Sequence, residues 1–169
     1  SSCIDPNVLY DKNGKLWLVY GSWSGGIFLL KLNEQNGLRD YSYNYGYTNF
    51  SADGAVWDGT RLRYDPYMGI HIAGGYYVSG EGPYVCYLTD KSGNGYYYLF
   101  VSMGFYSPEG GYTMRVFRSS SLDGIYTDIT GDQAVFTKYI FNYGDNTQYG
   151  FPIMQNFKYN WWTMAQVAQ

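Results

Sequence analysis

Apolar and aromatic residues in this chain come in short runs rich in Val, Ile, Tyr and Phe, and each run is closed by Gly, Asn or Asp. Apolar residues at helical spacing are hard to find anywhere, so the pattern is that of strands and turns. The predicted strands are Asn7–Tyr10, Leu16–Gly21, Ile27–Leu32, Gly69–Ala73, Tyr84–Leu88, Tyr96–Ser102, Tyr112–Ser119 and Ile153–Phe157. Asp11-Lys12-Asn13-Gly14 and Asp90-Lys91-Ser92-Gly93 read as hairpin turns, with glycine at the position that needs a positive φ.

The pattern repeats. Asp5-Pro6-Asn7-Val8-Leu9-Tyr10 is echoed 77 residues later by Gly82-Pro83-Tyr84-Val85-Cys86-Tyr87. The Asp11 turn recurs 79 residues on, and Gly25-Gly26-Ile27 recurs as Gly110-Gly111-Tyr112 after 85. Growing offsets mean small loop insertions between matched strands. Four-stranded units in series predict an all-β chain with the architecture of a β-propeller, whose blades bury their faces against one another. The blade-like units run over about 5–75 and 81–157 of a single domain spanning 1–169, two blades and the start of a third. Residues 36–67, rich in Tyr, Asn and Gly, read as a long excursion between strands, either a solvated decoration or a substrate-contacting loop.

Composition narrows the class. Among 169 residues there are 36 aromatics (22 Tyr, 9 Phe, 5 Trp) and 22 Gly but only 25 charged side chains, with a net charge of −3. An apolar content of 46% argues against disorder, and the absence of a basic stripe argues against a nucleic-acid partner. No apolar run approaches the ~20 residues that cross a bilayer as a helix, so no membrane partner is expected. Cys3 and Cys86 can form one disulfide or remain two buried thiols, and the burial habit of free cysteine favours thiols. The start lacks the basic and apolar segments of a signal peptide, and the end stops inside an apolar run. Both ends therefore read as cuts through a larger protein.

Chemistry has few places to sit. One histidine, His71, and two distant cysteines do not make a zinc site, and His71 lies inside a strand, where a packed structural role is expected. Asp5 and Glu81 stand out because each opens a repeat unit beside a proline. First strands of propeller blades line the axis, so carboxylates 76 residues apart in sequence should converge in space. Paired carboxylates suit glycosidic hydrolysis, where a protonated acid serves the leaving oxygen and an ionised partner sustains it. The structural alternative is that Asp5 caps a turn and Glu81 is merely solvated. Trp23, in the loop Gly21-Ser22-Trp23-Ser24-Gly25-Gly26, is placed to stack on a sugar face, with Ser22, Ser102 and Arg115 as further substrate-contacting candidates.

Three segments then carry a resemblance: Cys3-Ile4-Asp5-Pro6-Asn7-Val8, Val19-Tyr20-Gly21-Ser22-Trp23-Ser24-Gly25-Gly26-Ile27 and Gly80-Glu81-Gly82-Pro83-Tyr84-Val85. With Gly111–Ser119 and Asp123-Gly124-Ile125-Tyr126, they resemble glycoside hydrolase family 43, most of all its arabinan endo-1,5-α-L-arabinosidases. The resemblance implies a five-bladed propeller and an inverting mechanism with three carboxylates. It makes Glu81 the general acid and Asp5 the residue that orients this acid and tunes its pKa. The base aspartate belongs to a first blade outside this chain, so the 169 residues alone should be nearly inactive. A calcium in the central channel is implied as well, its histidine ligand expected beyond Gln169, with no metal ligand in this chain. The implied partner is plant cell-wall arabinan or arabinoxylan, met outside the cell. Within the family, an exo-acting α-L-arabinofuranosidase or β-xylosidase is the nearest alternative. A non-catalytic carbohydrate-binding propeller is the alternative from another class.

Overall fold

The structure, a computed structural model, describes residues 3–22, 25–45, 56–57, 62–65, 68–75, 80–104, 113–135 and 150–155. Its strands are β1 (Asn7–Tyr10), β2 (Leu16–Tyr20), β3 (Ile27–Lys31), β4 (Val56–Trp57), β5 (Leu62–Asp65), β6 (Gly69–Ala73), β7 (Glu81–Thr89), β8 (Gly95–Met103), β9 (Thr113–Ser119) and β10 (Phe151–Gln155). They form two antiparallel sheets, ordered β1-β2-β3-β6-β5-β4 and β10-β9-β8-β7. Strands β1, β2, β3 and β6 of the first sheet match the four of the second. The 36–67 stretch is more than an excursion: β4 and β5 lie within it and pair outward from β6.

Side-chain chemistry at the turns sets the hairpin registers. Asp11 Oδ1 accepts the amides of Asn13 and Lys15, at 2.8 and 2.9 Å, while Gly14 takes φ 74°. Asp90 does the same for Ser92 and Asn94, at 2.8 and 2.9 Å, with Gly93 at φ 83°. A third turn of this design, not singled out from the sequence, runs from Asp128 to Asp132 around Gly131 at φ 92°. Strand β7 begins three residues earlier than predicted. Pro83 lacks an amide hydrogen, which argues for a strand start after it, but a bulge between Glu81 and Tyr84 carries the pairing past it.

The core lies between the sheets. Val19, Ile27 and Leu29 of the first sheet and Leu99 of the second are fully buried, and Val85, Val101 and Phe117 nearly so. Each such aliphatic side chain contributes about 1.5–3 kcal/mol by leaving water. Polar bonds cross the same interface. Asn7 Oδ1 accepts the Val85 amide at 2.8 Å, the Tyr97 hydroxyl accepts the Lys12 amide at 2.9 Å, and the Ala134 carbonyl accepts the Gly74 amide at 2.8 Å. The two cysteines are free thiols. Cys3 is exposed rather than buried, and Cys86 is half-buried, where burial pushes its thiol pKa up.

Candidate active site

The two blade starts meet at one end of the sheet interface. Asp5 is the one non-glycine residue with a positive φ, 56°, among the described residues. Left-handed backbone is uncommon for a residue with a Cβ, and aspartate tolerates it better than most. In this conformation Asp5 Oδ2 accepts the backbone amide of Gly82 at 3.0 Å, across to the second sheet. Gly82 itself has φ 59°.

Glu81 precedes that glycine. Its side chain is half-buried, and its Oε2 accepts a hydrogen bond from the Ser22 hydroxyl at 3.2 Å. Ser22 lies just beyond the end of β2 and is 1% exposed. The segments that present Asp5 and Ser22 are themselves joined, because the Gly21 amide donates to the Ile4 carbonyl at 3.0 Å. Thus two neighbouring stretches of the first sheet hold residues 81 and 82 of the second, one through a backbone amide and one through the carboxylate.

The remaining candidates fall into three groups. Ser102 is buried and sits opposite Glu81 in the β7–β8 register, so it belongs to the same corner. Arg115 is buried on β9, where it pairs with Val101. Met114 pairs with Ser102, and alternation therefore sends the Arg115 side chain to the other face. Its Nε donates to Thr113 Oγ1 at 3.0 Å and its guanidinium reaches the Gly150 carbonyl at 3.3 Å, both within the second sheet. Burial pulls the guanidinium pKa below its ordinary value, with the Asp128 charge opposing. Trp23 lies outside the described residues. Among the described residues no group of three or more His, Cys, Asp or Glu comes together.

His71 is a packed strand residue. It is 2% exposed, and its ring stacks on Phe28 with centroids 4.9 Å apart. Sequence reading passed over Asn7, a 5% exposed amide whose Oδ1 fixes β7 from β1. Its signal was available: Asn7 stands where the second repeat has Tyr84, in the strand that opens the unit. Chemically, the corner offers a reachable carboxyl on Glu81 whose second oxygen is held by a hydroxyl. Next to it stands a carboxylate, Asp5, locked to the backbone of the following residue.

The chain is similar to several known proteins. The family described as "Glycosyl hydrolases family 43" matches residues 1–164. An extracellular endo-α-(1→5)-L-arabinanase of Thermotoga petrophila is 39% identical over 130 residues, 77% of this chain and 22% of that protein. Extracellular endo-α-(1→5)-L-arabinanase 2 of Bacillus subtilis is 38% identical over 129 residues, 76% of this chain and again 22% of the relative. The chain thus spans about a fifth of the length of these curated relatives. The crystal structure of endo-1,5-α-L-arabinanase from Thermotoga petrophila superposes with a TM-score of 0.64 at 34% identity, covering 91% of this chain and 28% of that one. The fold follows: all-β, and part of a five-bladed β-propeller.

Proposed function

The chain belongs to glycosyl hydrolase family 43, and on that basis we propose that the protein containing it cleaves α-1,5-linked L-arabinan with Glu81 as the general acid. One observation carries the reading: the Gly82 amide bonds to Asp5 Oδ2 at 3.0 Å, bringing the two repeat-opening carboxylate residues to one corner. Glu81 gives its proton to the glycosidic oxygen as the bond to the anomeric carbon breaks. Water attacks that carbon from the opposite face and loses its proton to a carboxylate base, the inverting pattern. By the family resemblance, that base is an aspartate of the propeller's first blade. Asp5 keeps residue 82 in place and sets a negative charge beside the acid. Both curated relatives are named extracellular, which supports a protein that meets arabinan outside the cell.

Digestion of debranched linear arabinan by the complete protein tests this. Short arabino-oligosaccharides are the expected products. Arabinose alone would move the protein to an exo-acting mode, and no release of sugar would refute the assignment. The 169 residues by themselves should hydrolyse arabinan at a negligible rate, because general-acid help without a base leaves water unactivated.

A further inference from the structure

We infer that Ser22 is the positioning residue of the general acid, holding Glu81 Oε2 so that the proton is delivered from Oε1. The inference deepens the function proposed above and rests on it.

Three features support it. The first is contact: the Ser22 hydroxyl donates to Glu81 Oε2 at 3.2 Å across the sheet interface. The second is burial: at 1% exposure, Ser22 has little surface to offer a polysaccharide.

The third is the stiffness of the backbone that carries it. A Cβ at Gly21 would lie 2.3 Å from the Gly26 carbonyl oxygen, so the backbone at Gly21 and at Gly26 is in close contact. A Cβ at Gly26 would lie 2.3 Å from His71 Nε2 and 2.5 Å from the Ala73 carbonyl oxygen, and one at Gly75 would lie 2.8 Å from His71 Cε1. Glycine at 26 lets the backbone there settle directly onto β6, against the His71 ring, which stacks on Phe28. The Gly21 amide anchors the other side to Ile4. Ser22 is therefore fixed before any substrate arrives.

The chemistry follows from the proton balance. In the acid form the proton sits on Oε1, and the Ser22 hydroxyl donates to Oε2. As the bond to the anomeric carbon breaks, the proton moves from Oε1 to the departing sugar oxygen and Glu81 becomes a carboxylate. Hydrogen bonds to ionised acceptors are roughly twice as strong as neutral ones, so the Ser22 bond strengthens as that charge develops. An interaction stronger in the transition state than in the ground state raises kcat.

The test separates acid positioning from general damage to the fold. Ser22→Ala and Ser22→Gly are made in the complete protein and assayed on two substrates. One is a linear α-1,5-arabino-oligosaccharide, whose alkoxide leaving group needs a proton. The other is a dinitrophenyl glycoside of the same sugar, whose leaving group does not. Both variants should lose about ten- to a hundredfold in kcat on the oligosaccharide, the worth of a hydrogen bond to a charged group. On the aryl glycoside they should stay within about threefold, because general-acid assistance matters little there. A parallel loss on both substrates, or no loss on either, overturns the role of Ser22. If the unmodified protein cleaves neither substrate, the proposed function fails and this inference falls with it.

Discussion

Asp5 and Gly82 occupy equivalent places in the repeat, each just before a proline, and both adopt left-handed backbone, with φ of 56° and 59°. The second unit fills this position as steric preference dictates, with glycine. The first puts a carboxylate there and accepts the strain. In the second unit the carboxylate stands one residue earlier, at Glu81, on a longer side chain. The same turn therefore presents two acids with different hydrogen-bond partners. Asp5 accepts from a backbone amide, a fixed donor that holds geometry. Glu81 accepts from a hydroxyl, a group that can serve either form of an acid. One backbone device thus presents two carboxylates differently because the repeat is broken by a single residue.

Substitutions that erase or stress this asymmetry should act in a graded order. Gly26→Ala removes the support for Ser22. Its Cβ would meet His71 and the Ala73 carbonyl, so a stability loss of about 3 kcal/mol or more is expected in thermal or urea unfolding. Asp5→Gly makes the two starts alike. It relieves the left-handed strain but leaves the Gly82 amide without its carboxylate, and kcat on arabinan should fall about ten- to a hundredfold with little change in melting temperature. Gly82→Ala leaves both acids in place and adds only backbone strain, since the nearest atom to its Cβ, Ser102 Oγ, is 3.8 Å away. Its cost should be about 1–2 kcal/mol in equilibrium unfolding.

The smallest effects belong to the turns. Burial alone would push the Asp128 carboxyl up, but hydrogen bonds from Thr130, Gly150 and Asp132 hold it below the usual carboxylate range. A depressed folded-state value lends stability that is present above the unfolded pKa and lost as pH falls through the folded one. Asp128→Asn should flatten the acid limb of the stability–pH curve and change it less at the acid extreme than at neutral pH.

Much of this was legible in the residues. The offset of 77 between Pro6 and Pro83 identified the blade starts, and carboxylates there had to converge if the units stack about one axis. The Asp11 and Asp90 turns were readable because Asx chemistry is local. What stayed hidden depends on contacts far apart in sequence. The β4 and β5 strands are short, four residues at most, and owe their place to pairing outward from β6, β5 on β6 and β4 on β5, rather than to a period of their own. Ser22 is a substrate-contacting candidate from sequence, and nothing local shows that Glu81 lies across from it. Asn7 is similar: it falls in a predicted strand, and nothing local shows that its amide meets Val85 of β7.

The central claim is that Glu81 supplies the proton for glycosidic cleavage. The most direct measurement is the kcat of Glu81→Gln in the complete protein on linear arabinan, beside its kcat on the dinitrophenyl glycoside, with circular dichroism to verify the fold. General-acid assistance contributes about 10²- to 10⁴-fold, so arabinan turnover should fall by at least two orders of magnitude while the aryl glycoside is largely retained. Arabinan turnover within tenfold of the unmodified protein, in a folded variant, would contradict the assignment.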